Sequence, residues 1–247
     1  MRLHRCQSPS FLLLVLAANC WGTPSSDALT ASQQKRVDRF EIPKITFDSW
    51  RLLERTDESE EFIAKFPSAY TSGVAVNDTV TLRVILPRAT ARPIPIVLIL
   101  HYWGAKDLVV ERSMAAQLVA KGVGAAILTL PYHLERTPAG LSSGELAIQP
   151  EPEKLIATSE QSVMDVRRAI DFLQSRKEID PERIGISGVS LGAIVSSLSF
   201  SVENRIKRGA FLLGGTDLAG ILWKSSRSVP QRGVMRRRGI AEESLWE

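Results

Sequence analysis

The sequence predicts an α/β protein with a mostly parallel sheet and an antiparallel hairpin near its start. Short apolar runs alternate with amphipathic segments of helical period, which is typical of β-α-β units. One apolar run ends in a glycine-flanked serine and leads directly into another helical segment. The chain has 247 residues, of which 44% are hydrophobic, so it is long enough to bury a core as one domain.

Residues 1–22 are predicted to be a signal peptide. Basic side chains precede the apolar run 11–18, as in the charged and hydrophobic parts of such a signal. The run is far shorter than the roughly 20 residues that a membrane span requires. We therefore expect an exported protein, either periplasmic or extracellular.

The segment 16–20, Leu-Ala-Ala-Asn-Cys, resembles a bacterial lipobox, whose cysteine receives a lipid after cleavage. Two outcomes stay open: a lipid anchor at Cys20, or ordinary cleavage between Cys20 and Ser25. The anchor would be the protein's one contact with a membrane. Because the other cysteine, Cys6, also lies in the signal, no intramolecular disulfide is predicted for the mature chain.

Residues 23–66 are predicted to be an N-terminal arm and linker. The stretch 23–44 is polar without apolar periodicity, which favours an irregular segment. The stretch 49–66 carries apolar residues among charges, and we expect it to be helical. Residues 67–247 are then predicted to be a single α/β domain that is incomplete at its C-terminal end.

That domain opens with a predicted hairpin. The β-rich runs 70–76 and 79–86 flank Asn77-Asp78, a two-residue turn signal. The continuous apolar run 96–100 predicts a central strand that is covered on both faces. The elements expected after it are a helix over 107–121, a strand over 125–130, a helix over 158–176, a strand over 183–187, a helix over 191–200 and a strand over 209–213.

Charge does not point to nucleic acid. The net charge is +4, and the basic residues are scattered apart from the triplet 236–238. No aromatic residues interleave with that triplet, so a solvated surface explains it better than a nucleic-acid site.

The motif that carries chemistry is Gly188-Val189-Ser190-Leu191-Gly192. A strand that ends in this pattern and continues as a helix makes a sharp turn, which exposes the serine at the top of the sheet. Ser190 is therefore the candidate nucleophile. The structural alternative is a helix N-cap, a common role for serine at a strand-to-helix junction.

From about residue 70 to residue 220 the chain resembles an α/β-hydrolase, most closely the dienelactone hydrolase, prolyl oligopeptidase and acetyl xylan esterase branch. The resemblance rests on the strand ending in His101-Tyr102-Trp103-Gly104, the segment 179–185 and the motif at Ser190. It implies a serine hydrolase acting on a small-molecule or carbohydrate ester. It implies no cofactor and no metal.

The resemblance also implies roles for particular residues. Ser190 would form an acyl-enzyme, and the backbone N–H groups of Leu191 and Trp103 would bind the oxyanion. Tyr102 stands where the family usually has glycine. By the same resemblance His101 would brace this loop by hydrogen bonding, with a role as base as the alternative.

The base and the acid are less clear, because in this fold both follow the serine. The three histidines are His4, His101 and His133, and none follows Ser190. His133 is either a substitute base or a structural or substrate-lining residue. Asp217 is the possible acid, with a turn-forming Asx residue as the alternative.

A complete sheet of the resembling family would carry at least two more strands after 209–213. We therefore expect the C-terminal strands to be missing, with an exposed sheet edge and uncovered apolar surface. Residues 221–247 are expected to form a cap or connecting helix with Trp223 and Trp246 exposed.

Three functions follow as hypotheses. The first is an exported serine esterase, incomplete or inactive as this chain. The second is a serine peptidase of the same fold. The third is a non-catalytic exported protein of this fold, which the missing late histidine favours.

Overall fold

The computed structural model describes residues 31–215 and 217–243. The predicted signal peptide, Cys20 and Trp246 lie outside the described residues. The helices are α1 (Ala31–Asp38), α2 (Val109–Val119), α3 (Pro152–Gln174), α4 (Leu191–Val202), α5 (Leu218–Lys224) and α6 (Val229–Arg237). The strands are β1 (Arg51–Arg55), β2 (Ser59–Pro67), β3 (Thr79–Pro87), β4 (Ile94–Leu100), β5 (Gly124–Leu128), β6 (Ile179–Val189) and β7 (Ile206–Leu212).

In the described part of the chain, seven strands form one sheet in the order β1-β2-β3-β5-β4-β6-β7. The first three strands and β5 pair antiparallel, whereas β5, β4, β6 and β7 run parallel to one another. The predicted α/β class, with its parallel strands and N-terminal antiparallel hairpin, is confirmed. Leu100 at the end of β4 pairs with Leu128 of β5 and with Gly188 of β6. The loops that follow these three strands therefore begin side by side.

The core lies on both faces of this sheet. On β4, Ile96 and Leu98 face the layer that contains α3 and α4, whereas Ile99 faces α2. All three side chains are at most 1% exposed. Because helices cover both faces, the strand is apolar at consecutive positions, as predicted. Among the described residues, no helix is long and apolar enough to cross a membrane.

The helix expected over 49–66 is wrong, because this stretch forms the hairpin of β1 and β2. Trp50 stacks on Phe62 across that hairpin, with 4.5 Å between ring centroids and 19° between ring planes. Ala64 and Phe66 lie two residues apart on one face of β2, and both are buried in the core. Burial at every second residue is the period of a strand, and packing on the sheet outweighs the weak helical signal.

The strand expected over 70–76 is also wrong. Residues 68–78 form a loop in which the Asp78 carboxylate accepts hydrogen bonds from the backbone N–H of Ser72 at 3.0 Å and from its hydroxyl at 2.6 Å. Asn77 is fully buried, and its side-chain oxygen accepts from the Tyr132 N–H at 2.8 Å. The Asp78 side chain thus bonds within the loop and the Asn77 side chain bonds to the loop after β5, so the two do not form a tight turn, and β3 pairs with β2.

Two further expectations need correction. Part of the stretch predicted to be irregular, Ala31–Asp38, is helical, and β2 crosses the domain boundary predicted at residue 66. Trp223 is half-buried rather than exposed, with the Arg236 guanidinium 5.4 Å from its ring centroid. The other predicted helices and strands are confirmed with shifted ends, and 218–237 holds two helices, as expected of a cap.

Candidate active site

Ser190 occupies the sharp turn between β6 and α4. Its φ is +54°, a left-handed conformation that costs a non-glycine residue about 1–3 kcal/mol and is tolerated mainly at functional sites. The residue is solvent-exposed although Gly188, two positions earlier, is buried. Ser190 is the N-cap residue of α4, yet its side chain makes no capping hydrogen bond. The N-cap alternative is therefore not realised, and the hydroxyl faces solvent.

The two glycines that flank the serine are sterically required. A Cβ on Gly188 would overlap the carbonyl of Gly192, and a Cβ on Gly192 would overlap the carbonyl of Leu100. Both obstacles are backbone atoms, which cannot turn aside as a flexible side chain can. The Gly-x-Ser-x-Gly pattern thus lets α4 start directly against the end of β4.

Ser190 opens into a cavity of about 130 Å³. Most of its walls are apolar, and they come from α4, the loop 130–148, the start of α3 and the α5–α6 region. Its lining residues include Trp103, His133, Ile148, Leu155, Ile194, Leu198, Ile221 and Leu222. No sequence pattern predicted that residues 221–231 would cover the serine, because this contact depends on the tertiary position of α5 and α6.

The two predicted oxyanion donors lie beside the serine motif. Leu191 is the first residue of α4, where backbone N–H groups have no partner within the helix. Trp103 lies in the loop that begins beside the motif, and its indole N–H donates to the Gly144 carbonyl at 2.8 Å. This bond anchors the Trp103 side chain. It does not involve the backbone N–H of Trp103, which is the group predicted to bind the oxyanion. Their roles as oxyanion donors stay predictions.

His133 lines the same cavity, but both of its ring nitrogens are engaged. Its Nδ1 lies 2.8 Å from the Pro131 carbonyl oxygen, and its Nε2 accepts from the Gly104 N–H at 3.0 Å. Because a carbonyl can only accept and an N–H can only donate, the ring is neutral with its proton on Nδ1. Burial, followed by the nearby His101, lowers the pKa of His133 to about 3.

His101 has the same pattern of bonds. Its Nδ1 lies 2.8 Å from the Tyr102 carbonyl oxygen, and its Nε2 accepts from the Leu130 N–H at 3.0 Å. Burial lowers the pKa of His101 to about 4. The ring ties the end of β4 to the loop after β5, which agrees with the bracing role expected of it. Neither described histidine therefore offers a free ring nitrogen to Ser190.

Asp217 begins α5, and its carboxylate accepts a hydrogen bond from the Gly220 N–H at 2.6 Å. This is an ordinary N-cap contact, close to the Asx alternative named above. No contact with a histidine is recorded for Asp217 within the described ranges. Its role as the catalytic acid stays a prediction.

A buried ion pair that sequence reasoning missed holds the His133 loop in place. Arg136 and Asp165 are both fully buried, with 2.8 Å between guanidinium and carboxylate. Arg136 also donates from Nε to the Asn77 carbonyl at 2.8 Å and from a terminal nitrogen to the Thr129 carbonyl at 3.0 Å. Burial raises the pKa of Asp165, against the opposing effect of Arg136. No motif relates these positions in the sequence.

The sheet order, the covering helices and the serine turn define the α/β-hydrolase fold. Comparison with known proteins agrees with this. No protein-family model matches the chain. The Bacillus subtilis (strain 168) protein named "Putative hydrolase YtaP" is 24% identical over 139 residues, which are 50% of this chain and 44% of that protein. The matched region is thus less than half the length of that relative.

Solved structures show the same fold. An acetyl xylan esterase from Paenibacillus sp. R4 aligns with a TM-score of 0.61 and 15% identity, over 87% of this chain and 69% of that one. A cold-adapted esterase from an Arctic intertidal metagenomic library aligns with a TM-score of 0.51 and 21% identity, over 67% of this chain and 64% of that one. These structures confirm the predicted fold.

Proposed function

We propose that this protein is a serine hydrolase of the esterase type that forms an acyl-enzyme on Ser190. The observation that carries the proposal is the conformation of Ser190: its backbone is strained, its hydroxyl does not cap α4, and it lies at the mouth of an apolar cavity. The strained backbone costs stability, and the hydroxyl makes no capping hydrogen bond that would compensate for it. This combination is expected of a nucleophilic serine. The esterase names of the proteins with a similar fold agree with this reaction type.

In the proposed reaction, the Ser190 hydroxyl attacks the ester carbonyl carbon and loses its proton to a base. The carbonyl oxygen becomes an oxyanion that accepts hydrogen bonds from the N–H groups of Leu191 and Trp103. The alcohol then leaves with a proton, and water attacks the acyl-enzyme to release the acid. The substrate is a small-molecule or carbohydrate ester.

The base is the critical part of the proposal. Of the described side chains, His133 lines the cavity with Ser190, but its Nε2 is occupied by the Gly104 N–H. For His133 to accept the Ser190 proton, that hydrogen bond must first break. Unchanged fluorophosphonate labelling in a folded His133→Asn variant would show that this ring takes no part in proton transfer.

The test is covalent labelling with a fluorophosphonate, which reports an activated serine. We expect labelling at Ser190 and none in Ser190→Ala. Ser197→Ala is the matched control, because its hydroxyl donates to the Ile194 carbonyl on the same helix and should not affect labelling. Labelling that persists in Ser190→Ala would refute the assignment. Hydrolysis of p-nitrophenyl esters but not p-nitroanilides would favour an esterase over a peptidase.

A non-catalytic binding protein of the same fold is the second candidate. It is favoured by the hydrogen bonds that occupy both ring nitrogens of His101 and His133. A folded protein that resists fluorophosphonate but binds an apolar ligand would support this alternative. It would also mean that this chain is inactive.

We also propose that the protein is exported, because residues 1–22 have the pattern of a signal peptide. We expect the mature protein outside the cytoplasm, with its new N-terminus near Cys20. The mass of the purified N-terminal peptide separates simple cleavage from lipid attachment at Cys20. A full-length cytoplasmic product would contradict export.

A further inference from the structure

We infer that the cavity at Ser190 binds the acyl part of the ester and that this acyl group is apolar, with about six carbon atoms. The inference rests on the proposed function of Ser190 and adds the substrate class.

The cavity follows one side of α4. Leu191, Ile194, Val195 and Leu198 all line it, at spacings that place them on a single helix face. The rise of about 1.5 Å per residue makes the path from Ser190 to Leu198 roughly 12 Å long. A chain attached at Ser190 can therefore extend along the helix.

The opposite wall is also apolar. It is formed by Ala147, Ile148, Leu155, Ile221 and Leu222, and no charged side chain lines the cavity within the described residues. Leu155 and Leu222 are themselves part of one buried cluster with Met235. The wall is thus fixed by packing between α3, α5 and α6, and it offers no partner for a charged ligand.

Three hydroxyl groups of α3 in the cavity wall already donate within the protein. Thr158 donates to the Lys154 carbonyl at 2.9 Å, Ser159 to the Leu155 carbonyl at 2.8 Å and Ser162 to the Thr158 carbonyl at 2.7 Å. A buried oxygen of the Gln231 amide is an acceptor without a partner. A sugar ring placed here would lie against mostly apolar walls, so part of its hydroxyl groups would lose the hydrogen bonds that they make to water. The cavity therefore favours a hydrocarbon.

The cavity has room for an acyl chain of about six carbon atoms. At about 130 Å³ it is close to the engineered apolar cavity of roughly 150 Å³ that binds benzene, a six-carbon molecule. The methyl group of an acetyl ester would leave most of this space unfilled.

The position of the cavity identifies the occupant as the acyl group rather than the alcohol. The alcohol must leave and water must enter from the same side during turnover, so that side needs access to solvent. The acyl group stays attached to Ser190 throughout, so it can occupy the apolar cavity that Ser190 lines, while the solvent-exposed side of Ser190 is left for the alcohol and water.

The test compares p-nitrophenyl acetate, butanoate, hexanoate and decanoate. We expect kcat/KM to rise roughly fourfold for each buried methylene up to hexanoate and to fall for decanoate. A maximum at acetate, or no dependence on chain length, would overturn the inference while leaving the proposed esterase intact.

Two variants make the cavity smaller. Ile194→Phe fills its middle and should move the maximum from hexanoate to butanoate, whereas Leu198→Phe narrows its far end and should lower kcat/KM for decanoate more than for hexanoate. Leu198 is 36% exposed, so its larger replacement can be accommodated even if the Ile194 variant misfolds. Val109→Phe is the matched control, because this residue is 67% exposed on α2, against the other face of the sheet. An unchanged profile in folded Leu198→Phe would contradict the inference.

A binding experiment separates this inference from the proposed function. Ser190→Ala is titrated with hexanamide and with acetamide, neither of which requires catalysis. Binding of hexanamide at least tenfold tighter than acetamide supports the apolar site even if the native protein hydrolyses no ester, which would refute only the proposed function. Equal or undetectable binding of both amides overturns the inference, whatever the hydrolysis assays show.

Discussion

The Nε2 atom of His133 accepts a hydrogen bond from the backbone N–H of Gly104, with 3.0 Å between the two nitrogens. This bond ties the loop after β5 to the loop that carries Trp103. It also requires the His133 ring to be neutral, because a protonated Nε2 would place two donors against each other. The His133 ring, which lines the same cavity as Ser190, is therefore held as a structural acceptor.

We predict that both described histidines stay neutral, with the proton on Nδ1, between pH 8 and about pH 5. Burial is the main cause, and it lowers the pKa of His101 to about 4 and that of His133 to about 3. The check is the ¹⁵N chemical shifts of the imidazole nitrogens as a function of pH. Unfolded protein is the control, in which histidine should titrate near pH 6.5.

The sign of the effect on stability follows from the same pKa values. Below pH 6.5 the unfolded chain takes up protons that the folded rings do not. The contribution of these two histidines to the free energy of unfolding is therefore greatest above pH 6.5 and falls as the pH decreases towards 4 and 3. A ring that titrates near pH 6.5 in the folded protein would contradict the hydrogen bonds described here.

Gly144 packs against the same histidine and provides a second prediction. Its φ is +80°, and a Cβ there would lie 2.5 Å from the His133 Nε2 and 2.8 Å from the Gly104 nitrogen. Gly140 has a similar φ of +84° but nothing within 4 Å. Alanine at either position has the same backbone strain of about 1–2 kcal/mol, but only at Gly144 does it also clash.

We expect Gly144→Ala to lower the free energy of unfolding by about 1–3 kcal/mol more than Gly140→Ala does. Urea unfolding of the two variants measures the difference. Equal losses would mean that the His133 loop yields freely to the added methyl group and is not held in one arrangement.

Much of the fold was predictable because its signals are local. The apolar run of β4 is buried on both faces, and the strand, turn and helix around Ser190 are encoded in consecutive residues. At Gly188 and Gly192 a larger side chain would overlap backbone atoms. The sharp turn at Ser190 can therefore be inferred from the motif alone.

The parts that were missed depend on contacts between distant segments. The stretch 49–66 becomes a hairpin because Trp50 and Phe62 stack and pack on the core, and its own sequence pattern is ambiguous. The Arg136–Asp165 pair and the cover provided by Ile221 and Leu222 connect residues far apart in the chain. No short pattern encodes such pairings.

The third prediction concerns the helix that follows the nucleophile. Replacing a glycine within a helix by alanine normally stabilises it by up to about 1 kcal/mol. At Gly192 the added Cβ would overlap the Leu100 carbonyl, so Gly192→Ala should instead lower the free energy of unfolding by about 1–3 kcal/mol and displace Ser190.

Gly233→Ala in α6 is the matched control. Its Cβ would meet only the end of the Arg237 side chain, at 3.5 Å, so this variant should be neutral or more stable. Thermal and urea unfolding compare the two, and fluorophosphonate labelling reports the position of Ser190. A Gly192→Ala protein that matches Gly233→Ala in stability and labelling would show that α4 does not press against β4.

The last prediction concerns Glu111, a fully buried residue of α2 on the face of the sheet opposite Ser190. Neither of its carboxylate oxygens has a hydrogen-bond partner. Burial raises its pKa above the ordinary value of 4.5, which outweighs the lowering effect of its own backbone N–H, and the nearby Asp107 adds to the rise. The folded protein therefore holds a proton on Glu111 more tightly than the unfolded chain does. The stability that this provides is complete below pH 4.5 and is lost as the pH rises through the higher, folded-state pKa.

Replacing Glu111 should thus have an effect that grows with pH. We expect Glu111→Gln, which cannot ionise, to gain stability relative to the native protein between pH 4.5 and pH 8, as measured by urea unfolding. Glu111→Leu also removes the unpaired polar atoms and should add about 1–3 kcal/mol at every pH. Glu153→Gln, at an exposed position in the first turn of α3, is the control and should change stability by less than about 0.5 kcal/mol. If Glu111→Gln and the native protein show parallel stability curves over this range, Glu111 has a partner that neutralises it in solution.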